Sequence, residues 1–388
     1  MPDLSLIRRF LDASHRELAD EVAATAGAVA ALPHAATDDA ARRQSRELLG
    51  MLGDARLARF AVEGTEPDLR ALCLIRETLA AASVLADSVF ALQGLGSMPI
   101  VLAGSDALRA RILPEVVAGR LMAAFAMTEP GAGSDVASMT TRATRDGDGW
   151  VLDGHKHLIT NAGVADFYCV FAKTTPDAGA RGITLFFVEA DNPGLRFVRP
   201  QILSEPHPLG ELAFEACRVP DAHRLGPVDG GFRVGMRTLD RLRPTVAAAA
   251  CGMAERALAE ALDHATTRRQ FDAPLAELPA IQAGLATMAT DLAASRLLVY
   301  RAAFEADDGA ERTTLEAAMA KSFATEAAQR VVDRAVQILG GRGCLAAHPV
   351  DRLYRAVRAL RIYEGATEVQ HLVIARQILR NHAQEPTS

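Results

Sequence analysis

Aromatic residues are scarce in this sequence, at 5% of the chain, and Trp150 is the only tryptophan. Cysteine is scarcer still. The five thiols, Cys73, Cys169, Cys217, Cys251 and Cys344, are far apart and include no Cys-x-x-Cys pair. That spacing excludes a disulfide framework and a zinc site, and points to buried thiols in a reducing compartment. No metal site is expected. No uninterrupted apolar run approaches the roughly 18 residues of a membrane span. The formal charge of −6 argues against a broad nucleic-acid surface. The opening Met-Pro-Asp-Leu-Ser-Leu lacks a basic stretch followed by an apolar one, and acidic residues come early. A cytoplasmic location is the expectation. Internal repeats and low-complexity tracts are also missing, alanine richness aside. What is present is a 388-residue chain, 49% hydrophobic and 23% charged. This is the balance of a folded protein with core enough for two or three domains.

Composition changes twice along the chain. Residues 1–120 are rich in Ala, Leu, Arg and Glu, all good helix formers. Phe10, Leu11, His15, Leu18 and Val22 recur at near-helical spacing, and a helix over 110–119 would stop at Gly119. Residues 121–230 read as extended, with strands expected at 167–172, 183–188, 195–198 and 212–219. Asp153-Gly154 predicts a hairpin turn between 150–152 and 155–160. Residues 231–388 return to helix. Pro279 suits a first helical position, and Ile281, Leu285, Met288 and Leu292 follow on one face. Thr313 and Glu316 predict a capping box for a helix running to Leu339, stopped by Gly340-Gly341. Further helices are expected over 350–360 and 367–380, with a frayed tail over 384–388. Long helices with short loops suggest a bundle.

Five segments could carry chemistry. Phe125-Ala-Met-Thr-Glu-Pro-Gly-Ala-Gly-Ser134-Asp135 is rich in glycine, which lets a backbone approach a ligand, although a plain turn explains it equally well. No βαβ unit surrounds it, so it is not a dinucleotide fingerprint. Lys156-His-Leu-Ile-Thr-Asn161 could present a hydroxyl and an amide to a polar ring edge, or simply end a strand. Arg268-Arg-Gln-Phe-Asp272 offers guanidinium forks that match pyrophosphate, or a solvated charge cluster. Gln337-Ile-Leu-Gly-Gly341 reads as a helix cap or as a backbone contact for a cofactor. In Tyr363-Glu364-Gly365-Ala366-Thr367-Glu368-Val369-Gln370, Thr367 and Gln370 fit a capping box, which leaves Glu364 in the preceding loop. A carboxylate there is a candidate base if burial raises its pKa.

In this order and spacing, the segments resemble the acyl-CoA dehydrogenase family over about residues 5–380. The resemblance implies an α+β fold: an N-terminal α-helical domain (1–120), a central β-barrel-like domain (121–230) and a C-terminal four-helix bundle (231–388). It implies FAD as cofactor, between domains and a neighbouring subunit, usually in a dimer-based homotetramer. It places Phe125, Met127, Thr128, Gly133, Ser134, Ile159 and Thr160 at the flavin, with Ser134 also on the substrate side. It sends Arg268, Gln270 and Phe271 to the partner's FAD, with Gln337, Gly340 and Gly341 at its diphosphate and adenosine end. Thr367 and Glu368 fall at the same cofactor, where a helix start attracts phosphate charge. Asp240, Arg243 and Gly365 fall near the thioester substrate. Glu364 matches the base that takes the α proton while the β hydride goes to flavin N5, leaving a trans-2-enoyl thioester. An electron-transfer flavoprotein would accept the electrons.

Several positions depart from the family's pattern. Leu158 stands where an aromatic often lies beside the flavin, Asp272 where Gly is usual, and Ala366 where Thr or Ser is common. Pro208-Leu-Gly-Glu-Leu212 replaces a longer stretch. Leu242 cannot supply the base that some branches place there, which favours Glu364. Gln93 lies in the region that shapes the acyl pocket, either as ordinary surface or facing a polar acyl group. The competing readings are a flavin oxidase or monooxygenase on the same fold, a dehydrogenase of a carrier-protein-bound acyl group, and a scaffold without activity.

Overall fold

The computed structural model describes residues 4–64, 66–310 and 312–384; the tail expected at the C-terminus lies outside them from 385 onward. Helices fill the first segment: α1 (Leu4–Ile7), α2 (Ala13–Ala30), α3 (Asp38–Asp54), α4 (Arg59–Val62), α5 (Leu69–Ala82), α6 (Val84–Ala103) and α7 (Asp106–Val117). Thr37, Asp68 and Ser105 each accept, through the side chain, a backbone N–H three residues on. Those bonds satisfy donors that a helix start leaves bare. The near-helical run beginning at Phe10 is helical only from Ala13. There the Asp12 N–H donates to His15 Nδ1 at 3.1 Å, and His15, Leu18 and Val22 are buried. α6 is long and apolar enough to cross a membrane, but it is largely buried within the protein.

The second segment is a sheet. Its strands are β1 (Ala123–Ala126), β2 (Arg142–Asp146), β3 (Gly149–Thr160), β4 (Phe167–Lys173), β5 (Ile183–Glu189), β6 (Leu195–Pro200), β7 (Leu209–Pro220) and β8 (Arg224–Leu225). They are ordered β6-β7-β3-β2-β4-β5-β8, with β1 paired in parallel to β4. β4 and β5 are buried almost end to end, which is why they read as unbroken apolar runs. Trp150 packs on Phe186 with ring centroids 5.5 Å apart, and its Nε1–H donates to Asp221 at 2.7 Å.

Asp153-Gly154 is not a hairpin turn. β3 runs straight through it, and the pairing with β7 shifts register between Leu152 and Gly154. The dipeptide forms a bulge: Asp153 accepts the Ala216 N–H at 2.8 Å, and a Cβ on Gly154 would lie 2.5 Å from Thr141 Oγ1. The turn joining β2 to β3 lies six residues earlier, at Gly147-Asp148, with Gly147 at φ +59°. Turn-forming residues also suit bulges, and local chemistry alone does not separate the two.

The third segment holds α8 (Gly231–Thr267), a small hairpin of β9 (Arg269–Gln270) and β10 (Ala273–Pro274), then α9 (Pro279–Asp307), α10 (Thr314–Leu339), α11 (Pro349–Leu360) and α12 (Thr367–Gln384). Pro279 opens α9 and Gly340, at φ +59°, closes α10, as expected. The capping box at Thr313 does not form. Its φ/ψ of −116°/21° is not the extended geometry of a cap, and its side chain makes no cap bond.

By packing, the chain divides into two compact units. Among the described residues, one comprises 4–31, 68–87, 240–310 and 312–384; the other comprises 32–64, 66–67 and 88–239. The divisions fall inside α6 and α8. In the first unit α2 packs on α5, α5 on α9, and α10 on α9, α11 and α12. All five cysteines are free, and four are buried; Cys344 is exposed.

Candidate active site

In the first unit, the chain leaves α11 and turns back into α12 through Tyr363-Glu364-Gly365-Ala366. Glu364 sits at φ +53° and Gly365 at φ +97°. Glycine suits position 365 because its backbone is left-handed; a Cβ there would also displace the Gln370 amide, whose Nε2 would lie 2.2 Å away. The capping box predicted from Thr367 and Gln370 gives way to other bonds. The Thr367 hydroxyl donates to Glu326 at 2.7 Å, and Gln370 donates to the Glu364 and Gly365 carbonyls at 3.3 and 3.0 Å. Arg243 Nε donates to the same Glu364 carbonyl at 3.2 Å while Nη1 pairs with Asp240. Lys321 Nζ donates to the Gly365 carbonyl at 2.7 Å.

The loop's backbone is therefore held from three sides, whereas the Glu364 carboxyl is not. Its Oε2 is sealed from solvent and has no hydrogen-bond partner. Burial pushes its pKa above the ordinary carboxylate range, outweighing the pull of Arg76, Arg243 and Lys321. Arg76 is itself buried. It forks onto Asp87 at 2.8 and 2.9 Å and reaches Thr245 Oγ1 at 3.1 Å.

Arg269 to Asp272, in the same unit, form the first strand and turn of the β9–β10 hairpin, with Arg268 just before it. Both of its turn residues are left-handed, Phe271 at φ +51° and Asp272 at φ +64°, the conformation glycine adopts most easily. Phe271 is 88% exposed at the tip. Gln337, Gly340 and Gly341 lie exposed at the end of α10, where a Cβ on either glycine would meet nothing within 4 Å. Glu368 is exposed in the first turn of α12.

The second unit carries the other motifs. Met127 to Ser134 form a loop after β1, closed on itself by paired backbone bonds between Glu129 and Ala132. The His157 N–H donates to the Thr128 carbonyl at 2.9 Å and ties this loop to β3. Under the loop, Glu129 accepts from Thr140 N at 2.6 Å, Thr140 Oγ1 at 2.8 Å, Thr141 N at 3.0 Å and Lys156 Nζ at 2.8 Å. Lys156 also donates to the Met127 carbonyl at 3.0 Å. Burial works against the charge on Glu129, but Lys156 and the threonine donors prevail and hold it at about 2. Burial brings Lys156 down to about 8 despite Glu129. Phe125 packs edge-on against Phe171, Ile159 is buried, and Gly133 and Ser134 are exposed.

Leu158 lies in a second bulge of β3, at φ +54° and 50% exposed, its N–H donating to Gln201 at 2.7 Å. Gln93 is neither surface nor free for a ligand. It is 1% exposed, and its amide bridges the Leu121 carbonyl and the Ala123 N–H at 2.8 and 2.9 Å.

Arg76, Asp87, Lys321 and the Glu129–Lys156 pair are not singled out by sequence motifs. The available signal was charge inside apolar helix: Arg76 and Glu77 interrupt Ala-Leu-Cys-Leu-Ile on α5, nearly all of which is buried. A charge with no exposed face has to be paired.

Three family descriptions match the chain: "Acyl-CoA dehydrogenase, N-terminal domain" over 12–120, "middle domain" over 124–217 and "C-terminal domain" over 229–379. "Probable acyl-CoA dehydrogenase fadE25" of Mycobacterium leprae is 37% identical over 376 residues, covering 95% of this chain and 96% of that one. The structure of butyryl-CoA dehydrogenase from Megasphaera elsdenii matches with TM-score 0.87 and 32% identity over 95% of this chain and 99% of that one. A structure titled "PigA with FAD and proline" matches with TM-score 0.85 and 26% identity, covering 96% and 99%.

Proposed function

The chain belongs to the acyl-CoA dehydrogenase family, and from that premise we propose that it converts an acyl-CoA to the trans-2-enoyl-CoA with Glu364 as the α-proton base. It is an oxidoreductase with FAD as cofactor. When bound, FAD supplies the acceptor for the β hydride at flavin N5.

The residues present fit such a group. The Thr128 and Thr160 hydroxyls make no hydrogen bond within the described residues, and Phe271 stands bare on its hairpin. Gly131, Gly133, Gly340 and Gly341 leave open space where a side chain would be. In the second unit Thr128, Thr160 and Ser134 would supply polar contacts, beside Phe125, Met127, Gly133 and Ile159. In the first, Arg268, Gln270 and Phe271 would form one holding group and Gln337, Gly340 and Gly341 another. Thr367 and Glu368 would add the start of α12. Thr367 would offer backbone more than hydroxyl, because its Oγ1 is bonded to Glu326.

The observation that carries the reading is the sealed, partnerless Oε2 of Glu364. An α C–H beside a thioester is a very weak acid. Its removal needs a carboxylate that is dry, unencumbered and raised in basicity. Asp240, Arg243 and Gly365 would stand on the thioester side of that carboxylate. Electrons would leave to an electron-transfer flavoprotein, and the working form would be a cytoplasmic homotetramer.

The test is anaerobic bleaching of the bound flavin against a panel of acyl-CoAs of varied length and branching. The FAD-loaded wild type should bleach with at least one, and Glu364→Gln should bind FAD but lose most of the bleaching. Unchanged bleaching in that variant would overturn the assignment. Rapid peroxide formation with substrate in air would replace the dehydrogenase reading by an oxidase.

A further inference from the structure

Two consecutive residues of the base loop are each held by a different cation. Arg243 donates to the Glu364 carbonyl, and Lys321 donates to the Gly365 carbonyl. Arg243 has its own carboxylate in Asp240, as the nearby Arg76 has Asp87. Lys321 does not: it is 0% exposed, and among the described residues it forms no ion pair. A buried ammonium matched only by a carbonyl is expensive.

The charged groups that bear on it are Arg243 from α8, Glu326 from α10, Glu368 from α12 and Glu364 from the loop. Arg76 from α5 and Asp87 from α6 complete the set around Glu364. Glu326 is bonded to Arg361 and Thr367, Glu368 is exposed, and Asp87 is taken by Arg76. Glu364 is the buried carboxylate of this set that retains a bare oxygen.

We infer that Lys321 is a positioning residue for the base: Nζ pins the Gly365 carbonyl, and with it the left-handed Glu364, while its charge supports the ionised carboxylate. This rests on the reading of Glu364 as base. In the step concerned, the substrate Cα–H bond breaks and its proton passes to Glu364, which must start ionised. Burial without a dedicated counter-ion disfavours the ammonium and brings Lys321 down to about 8.

Three variants of the FAD-loaded, full-length protein separate the two roles. Lys321→Gln keeps a donor and loses the charge, Lys321→Met loses both, and Lys321→Arg keeps both. Bleaching rate is followed against pH, with the panel acyl-CoA that bleaches the wild type fastest. Removing a positive charge raises the Glu364 pKa, so the acid limb of the profile should move up by about one pH unit in both Lys321→Gln and Lys321→Met. The plateau rate should fall about 10- to 100-fold in Lys321→Met, through misplacement of the base, and only a few-fold in Lys321→Gln. Lys321→Arg should restore the wild-type limb. The substrate concentration at half-maximal rate should stay put in all three, because Lys321 is not assigned a substrate contact. If Lys321→Met fails to hold FAD, the limb of Lys321→Gln alone decides. A wild-type limb in Lys321→Gln, or a loss confined to substrate affinity, would overturn the inference. Glu364→Gln run alongside separates the two failures. If it bleaches at the wild-type rate, the base reading falls; if it is strongly slowed while Lys321→Gln keeps the wild-type limb, only the role of Lys321 falls.

Discussion

Glu129 and Glu364 are glutamates with buried carboxyl oxygens, each with a buried lysine nearby, and they are driven in opposite directions. Glu129 receives four hydrogen bonds, two from backbone N–H groups, and stays ionised down to about 2. Glu364 has an oxygen with no donor at all, and burial pushes its pKa up. The difference lies in what the lysine bonds. Lys156 donates to the Glu129 carboxylate itself, whereas Lys321 donates to the backbone beyond Glu364. Burial and a nearby cation do not by themselves make a structural carboxylate; donors on its oxygens do. A carboxylate with its donors spent elsewhere can still take a proton.

The contrast can be broken most sharply at the reactive end. Glu364→Gln should slow flavin bleaching by about 10²- to 10⁴-fold, the usual share of a general base, with FAD content unchanged by absorbance. Next in size is the structural end. Lys156→Met leaves Glu129 charged and unpaired and should cost about 3–5 kcal/mol in denaturant melts. The double variant Glu129→Met with Lys156→Met should recover much of that loss; no recovery would mean that the pair is not the cause.

Glu129 should also leave a mark on acid stability. Its folded value of about 2 lies below the ordinary 4.5, so its contribution is full above 4.5 and is lost as pH falls towards 2. The amount at stake is about 3 kcal/mol. Glu129→Gln should lose stability at pH 7 and show a flatter acid transition than the wild type.

The smallest expected effect has the opposite sign. The Glu364 pKa is raised, so its contribution to stability is full at low pH and is lost as pH rises through its folded value. Above that value the ionised carboxylate weakens the fold, and there Glu364→Gln should melt slightly above the wild type. A lower melting temperature for that variant would erase the contrast with Glu129.

Much of this is legible in the sequence. Pro279 marks the start of α9, Gly340 the end of α10, and the Tyr-Glu-Gly run falls in a loop just before a helix. Local signals of that kind act within a few residues, and the structure keeps them wherever no tertiary bond competes. Where one does, they yield. Thr367 gives its hydroxyl to Glu326, far away in sequence, and Asp153 gives its carboxylate to Ala216 on the neighbouring strand. The seat of the base is harder to read. Arg76, Asp87, Arg243 and Lys321 come from four different helices, and only packing shows what each one faces.

The sole tryptophan has a use that follows from its place. Trp150 is 7% exposed, against Phe186 in the core of the sheet-bearing unit. Selective excitation of indole emission should therefore report the unfolding of that unit alone, while far-ultraviolet dichroism is dominated by the helices of the other. Recorded together on one sample, the two optical signals should show whether the units melt in one step or in two, and which of them a substitution at Glu129 or Glu364 has disturbed.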